Sequence, residues 1–591
     1  MQKYNLSYTV TPIQRFFIDR CIELLYVNSL DTYRLRLHNP LTLLKELISV
    51  GKLTADGLLS NKVYIKDISE ELRLIISEGN HGFNFSKFSE KYFITQILSK
   101  KESPKMVLQG ARILLSDNAD YLPRLLERVR TLANSYATFL DEQEVLNQKE
   151  YDKCLIELNA LLGHLHVELL QKGFSKKYLY DLFQIFFVRK TDENLGFNER
   201  IHIYAQLMQK VPEKFDMVYS LVGTSFQVNK FSLIDSTYQT VDRRFKKSLE
   251  SVVSQKVTDF LSMNDGTLIR FPIMAHDYYK AVELSMEKIS KDLDVYHMGF
   301  TKGQVQISKN CAIIGEVDKA KANVSPVNFQ IDGYIRSNST VFDLLLSKIK
   351  KAETNGVDER SYDKLLSAIR YFRTGSEAVE LETKFLNYWI GLEYIFTSDG
   401  NSDSISNMRE HFPVCHSNVY VKRALLDFHK SIKRQEINVH LDDYNDDLDY
   451  LTKFNTYKTI IEHSSAELPK FRALQFQGWT SNPDNIQRSL KKHQENLKLN
   501  LTRLYRIRNE IVHNAAIKKG ILVNIAHLRY YFTFILNSIL DFMAEQQVDL
   551  TNDGKISLDD YFISQSIIQG WLQKSTIQEH MKVVNPSEIF F

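Results

Sequence analysis

The sequence predicts a mainly α protein in three parts, with helical regions at both ends and a small α/β module between them. Three observations carry this. Apolar residues recur at three- and four-residue intervals over 1–215 and again over 346–591, the period of one helical face. Between 216 and 345 the texture changes to short runs rich in β-branched and aromatic residues, which is the mark of strands. The length, 591 residues, exceeds what one hydrophobic core supports, because single cores stop growing near ~250–300 residues.

In the first part, 151–171 places Leu155, Leu158, Leu162, Leu165 and Leu169 along one face, which is an amphipathic helix. Gly173 supplies its stop, and Ser175 is the N-cap of a second helix. In the middle part strands are expected at 215–222, 267–274, 304–316 and 328–335, with one helix over 276–293. Long helical segments then return at 361–396, 486–516, 526–546 and 559–575. The polar stretches 397–406 (TSDGNSDSIS) and 478–484 (GWTSNPD) are expected as exposed loops.

Hydrophobic residues make up 43% and charged residues 25%, the balance of an ordered globular chain. The formal net charge is only +3, so affinity for nucleic acid must come from a local patch. Cys21, Cys154, Cys311 and Cys415 form no CxxC pair, which fits neither a disulfide framework nor a thiolate zinc site and points to a reducing cytoplasm. The start MQKYNLSYTV has no signal-peptide pattern and no window is apolar enough for a membrane span, so no membrane partner is expected.

No GxxxxGK[ST], strand-linked GxGxxG or HExxH occurs, which sets aside ATPase, dehydrogenase and zinc-protease chemistry. Neither cofactor nor metal is expected. His164, His166 and Glu168 stand at alternate positions and diverge on a helix, and His411, Cys415 and His416 lack a second ligand pair. Asp549, Thr551, Asp553, Gly554, Ile556, Ser557 and Asp560 stand at EF-hand positions, but Thr551 and Asp560 replace stronger ligands, so a plain turn between helices is expected.

The chemistry concentrates in 497–516, LKLNLTRLYRIRNEIVHNAA. On a wheel of ~100° per residue, Leu497, Leu501, Leu504, Tyr505, Ile511, Val512 and Ala515 share one stripe with Arg508 near its middle. A guanidinium there needs a counter-charge or an anion. Asn509 and His513 are four apart, hence neighbours on the stripe's flank. If the stripe packs against the same helix of a second copy, two sets of these groups meet in one cleft.

The run Arg508-Asn509-Glu510-Ile511-Val512-His513 resembles the Arg-x4-His signature of HEPN ribonucleases. The helix 385–396, FLNYWIGLEYIF, is similar to the partner helix of the ApeA-like HEPN subgroup, with Trp389 and Glu393 at the matching positions, and 271–281 resembles the strand-to-helix entry before such domains. The resemblance implies a C-terminal HEPN nuclease bundle over 346–591. It also implies metal-independent cleavage of cellular RNA, with tRNA a candidate substrate, by a homodimer acting in anti-phage defence by abortive infection.

RNA cleavage through its own 2′-hydroxyl needs proton transfer and stabilisation of an anionic phosphorane. His513 suits the first as general base or acid, Arg508 the second through its planar fork, and Asn509 would orient a phosphate oxygen or the imidazole. Glu393 and Glu510 are candidate supports that pair with Arg508. Arg488, Lys491, Lys492, Lys498, Arg503, Arg506, Lys518 and Lys519 offer a basic track for the RNA backbone. Residues 1–215 are expected to sense a trigger, such as a phage-derived one, or to restrain the nuclease. The competing readings are a non-catalytic HEPN scaffold for dimerisation or nucleic-acid binding, and a toxin restrained by a partner protein.

Overall fold

The computed structural model describes residues 6–26, 38–56, 63–99, 104–135, 148–189, 195–223, 225–250, 252–263, 267–299, 305–317, 319, 322–326, 339–378, 380–397, 404–441, 443–514, 521–545 and 549–587. The chain is mainly helical with one small antiparallel sheet.

Helix starts in the first part follow local capping chemistry. Thr11 and Gln14 form a reciprocal capping box at helix Pro12–Leu25, and Asn39 and Thr42 do the same at Pro40–Ala55, each with proline in the first turn. Helix Gln148–Lys172 ends at Gly173, whose φ of 113° is open to glycine, and Ser175 caps Lys176–Phe183 by accepting from the Tyr178 amide.

Two separate cores result. One gathers Phe16, Phe17, Leu158, Leu162, Leu165 and Phe183. The other joins helices Pro40–Ala55 and Val63–Ser77, hereafter the N-terminal helix pair, through Leu43, Leu47, Ile68 and Leu72, and takes in Phe93 and Leu114. Buried Asn39 ties the pair to the long neighbour by donating to Glu168 Oε2 at 3.0 Å and to the His164 carbonyl at 3.2 Å. His166 bonds the Leu162 carbonyl at 2.7 Å within its own helix.

The middle module is a five-stranded sheet of order β2-β3-β1-β4-β5, comprising β1 Glu213–Val222, β2 Gln239–Thr240, β3 Thr267–Ala275, β4 Gln306–Gly315 and β5 Asn323–Pro326. Alternation assigns its faces. Phe215, Met217, Tyr219, Ile269, Phe271 and Cys311 pack on helix Tyr278–Gly299, while Val218, Leu268, Ala312 and Ile314 face Leu249, Val257 and Leu261. Asp277 starts that helix by accepting from the Lys280 amide and also binds Ser175, joining the module to the first part. The strand expected at 328–335 lies outside the described residues.

In the last part, the segment expected as one helix over 361–396 breaks after Glu377 into Glu359–Glu377 and Leu381–Ile395. The expected loop 478–484 is instead a tight joint: helix Glu467–Ser481 runs to Asn482, whose side chain accepts from the Asp484 amide at 2.9 Å, and Pro483 opens helix Pro483–Asn514. Of 397–406, residues 398–403 lie outside the described residues, and 404 begins helix Ser404–Asn418.

Helices Leu381–Ile395, Ser404–Asn418, Pro483–Asn514, Leu522–Glu545 and Leu558–Leu572 share one core that holds Trp389, Phe412, Leu504, Phe532 and Tyr561. Gly391 permits the close approach of two of them, since a Cβ there would stand 2.4 Å from Phe532 Cζ. All four cysteines are free and buried. Among the described residues no helix is long and apolar enough to cross a membrane.

Candidate nucleic-acid interface on the long helix

Helix Pro483–Asn514, hereafter the long helix, is held on its inner face by the bundle. Leu497, Leu501, Leu504, Ile507 and Ile511 are buried in the shared core, so the apolar stripe that suggested a seam between two copies is spent within the chain. Val512, by contrast, is 48% exposed. Buried polar bonds set the helix's register: Asn500 donates to the Tyr531 hydroxyl at 2.8 Å, and His493 lies 2.8 Å from His416, whose other nitrogen is 3.0 Å from the Tyr530 hydroxyl. His416, which lacks a second ligand pair for a metal, is thus part of a buried imidazole pair.

Arg508 is half-buried and donates to Asn509 Oδ1 at 3.0 Å. His513 lies in the last turn of the same helix; its side chain, and residues Lys518 and Lys519, fall outside the described residues. Glu393 is turned to a structural task, accepting from Trp389 Nε1 at 2.8 Å and Ser404 Oγ at 2.6 Å. The Trp389 ring lies 5.9 Å from that of Tyr505. Glu510 is buried, 3.3 Å from Arg506 Nε.

The basic track divides. Arg488, Lys491, Lys492 and Lys498 lie on an exposed face, with Lys492 paired to Glu78 at 2.6 Å. Arg503 and Arg506 do not lie there: each is only 5% exposed. They meet carboxylates of the N-terminal helix pair. Arg503 grips Glu46 bidentately, Nε to Oε1 at 2.9 Å and Nη2 to Oε2 at 3.1 Å, and also binds Glu71, while Arg506 binds Glu46.

Burial by itself would raise the Glu46 carboxyl, but the two guanidiniums outweigh it and hold it well below the usual range. His38, 4.0 Å from Glu46, is pushed down to about 4 by burial and then by Arg503. The helix pair also comes close to the motif: burial raises the pKa of the Tyr64 hydroxyl, and the neighbouring Asn509 side chain partly offsets this.

Glu46, Glu71 and Tyr64 are not singled out by the sequence. The one available signal was that Arg503, Arg506 and Glu510 recur at i, i+3 and i+7 on one helix face, a spacing that a purely solvated basic track does not need. The expected turn 549–560 has its carboxylates engaged by its own chain. Asp549 accepts from the Asn552 and Gly554 amides at 2.6 Å, and Asp560 from the Leu550, Thr551 and Ser557 amides at 2.7–2.8 Å. Among the described residues no group of three or more His, Cys, Asp or Glu side chains is placed to hold a metal. Comparison with protein families, with curated proteins and with solved structures finds no match to this chain.

Proposed function

We propose that the chain is a metal-independent endoribonuclease of the HEPN type that acts on cellular RNA, with tRNA a candidate substrate, in anti-phage defence. The observation that carries this reading is the Arg508–Asn509 pair, hydrogen-bonded at 3.0 Å one turn before His513 at the end of the long helix. Arg508 would bind the scissile phosphate and Asn509 orient it, while His513 moves the proton of the 2′-hydroxyl or of the leaving oxygen. In a homodimer the second copy would approach along the side that carries Val512, since the remaining apolar stripe is committed to the chain's own core.

The scaffold reading is favoured by one observation, the N-terminal helix pair laid over Arg503 and Arg506 beside the motif. Cleavage of total cellular RNA by the purified chain in EDTA, compared with His513→Ala, separates the two. Loss of cleavage by ~10²-fold or more in the variant, with its fold unchanged, supports the nuclease. Cleavage that survives His513→Ala would remove the assigned role.

A further inference from the structure

We infer that the N-terminal helix pair is a releasable acidic cover, whose Glu46 and Glu71 occupy the two arginines that the RNA backbone takes up when the site opens. The inference rests on the nuclease reading of Arg508, Asn509 and His513. Three observations carry it.

The charges are largely segregated, the exceptions being Glu510 beside Arg506 and Glu495 of the long helix, which acts on Arg73 of the cover. The cover contributes Glu46, Glu71, Asp67 and Glu78, and the bundle contributes Arg503, Arg506, Arg409 and Lys492, with pairs Glu46–Arg503 at 2.9 Å, Asp67–Arg409 at 3.8 Å and Glu78–Lys492 at 2.6 Å. A row of carboxylates laid over a row of cations matches the way a phosphodiester strand would lie there, because guanidinium forks accept carboxylate and phosphate in the same bidentate geometry.

The cores are separate. The apolar residues that hold the helix pair together, Leu43 to Leu114 in sequence, include no residue of the long helix; those of the long helix lie in the bundle core from Leu497 on and, at Ile486 and Leu490, in a neighbouring cluster. The contact between the two is therefore mainly polar. Buried ion pairs specify geometry while contributing little net stability, and polar interfaces between units of one chain open readily. The cover can lift from the long helix with both of these cores intact, turning about its tie to the first part at Asn39 and Leu41.

The contact reaches the motif. Tyr64, buried on the cover, lies beside the Asn509 side chain, the partner of Arg508. While the cover is down, Asn509 is screened by Tyr64, and Arg503 and Arg506 are neutralised by Glu46 and Glu71. Lifting it exposes Asn509 and frees Arg503, while Arg506 keeps Glu510 of its own helix, 3.3 Å away.

The test is hydrogen exchange on the full chain, with RNA cleavage measured on the same samples, for the wild type, Glu46→Gln/Glu71→Gln, and the milder Tyr64→Phe. The cover predicts that exchange rises by about tenfold or more in 40–77 and 503–512 together, with the Leu522–Glu545 helix unchanged. It also predicts that cleavage rises by a similar factor. Tyr64→Phe should give a smaller change of the same kind, which guards against a charge variant that merely misfolds.

Unchanged protection in both variants, or loss of protection across the whole bundle with Tyr64→Phe, would overturn the cover. Opening without faster cleavage in a chain that does cleave would overturn its regulatory role. Opening in a chain that cleaves no RNA in any variant supports the cover and counts instead against the nuclease.

Discussion

Replacing Glu46 with glutamine removes one negative charge from a buried cluster in which Arg503 and Arg506 both depend on it. Three hydrogen bonds between carboxylate and guanidinium are affected, and each arginine is only 5% exposed. Breaking one partner of a buried pair costs ~3–5 kcal/mol, because the surviving charge stays in a poorly hydrated place.

Glu71 still serves Arg503 and Glu510 still stands 3.3 Å from Arg506, so the lower end applies, ~3 kcal/mol. With a urea dependence of ~2 kcal/mol per molar for the unit that opens, the first unfolding midpoint should fall by ~1–2 M. The control is Glu377→Gln, which breaks an exposed pair with Arg373 whose side chains are each 63% exposed and should cost under ~0.5 kcal/mol. Urea unfolding followed by tryptophan fluorescence and by exchange in 40–77 reads both. If Glu46→Gln behaves like Glu377→Gln, the cluster is not a buried dependency and the cover argument loses its energetic basis.

Acid should destabilise the fold early. His38, His166 and His580 are pushed down to about 4 and His527 to about 3, in each case chiefly by burial. The unfolded chain therefore takes up protons below pH ~6.5 that the fold refuses until near pH 4. Each imidazole then removes ~1.4 kcal/mol per pH unit across that window. The melting temperature should drop steeply from pH 6.5 to 4.5, and a flat profile would contradict this.

Gly391→Ala should cost ~1–3 kcal/mol by overpacking against Phe532, outweighing the ~1 kcal/mol gain in helix propensity; a higher melting temperature would show that the ring yields. Arg508→Lys should lower the cleavage rate by ~10²-fold or more, since a point charge lacks the fork, and near-normal cleavage would refute bidentate phosphate binding.

A face repeating every three to four residues made the helix at Leu155, Leu158 and Leu162 legible, and the stop at Gly173 with the cap at Ser175 followed from local chemistry alone. Helix Tyr420–Arg434, with Val421, Leu425, Phe428 and Ile432 on one face, was missed. Local chemistry also placed a turn between helices at 549–560, where the loop's own amides take up Asp549 and Asp560. The break after Glu377 was missed because both helices are periodic and 378–380 holds no glycine or proline.

The candidate site shows the limit most clearly. A helical wheel gives the direction of Arg503 and Arg506 relative to their own helix, but not what covers them. The covering carboxylate, Glu46, is 457 residues away from Arg503 in sequence, and no local pattern encodes that contact. The same wheel centred the stripe on Arg508, whereas Ile507 is buried and Val512 exposed, a rotation that depends on how neighbouring helices pack.

The central claim is that the end of the long helix cleaves RNA without metal. The most direct measurement is the chemistry of the new RNA ends produced in EDTA by the wild type, by Glu46→Gln/Glu71→Gln and by the latter with His513→Ala added. The account predicts 2′,3′-cyclic phosphate and 5′-hydroxyl ends that increase with the cover opened and disappear with His513. Ends bearing a 3′-hydroxyl, cleavage abolished by EDTA, or cleavage unchanged without His513 would contradict it.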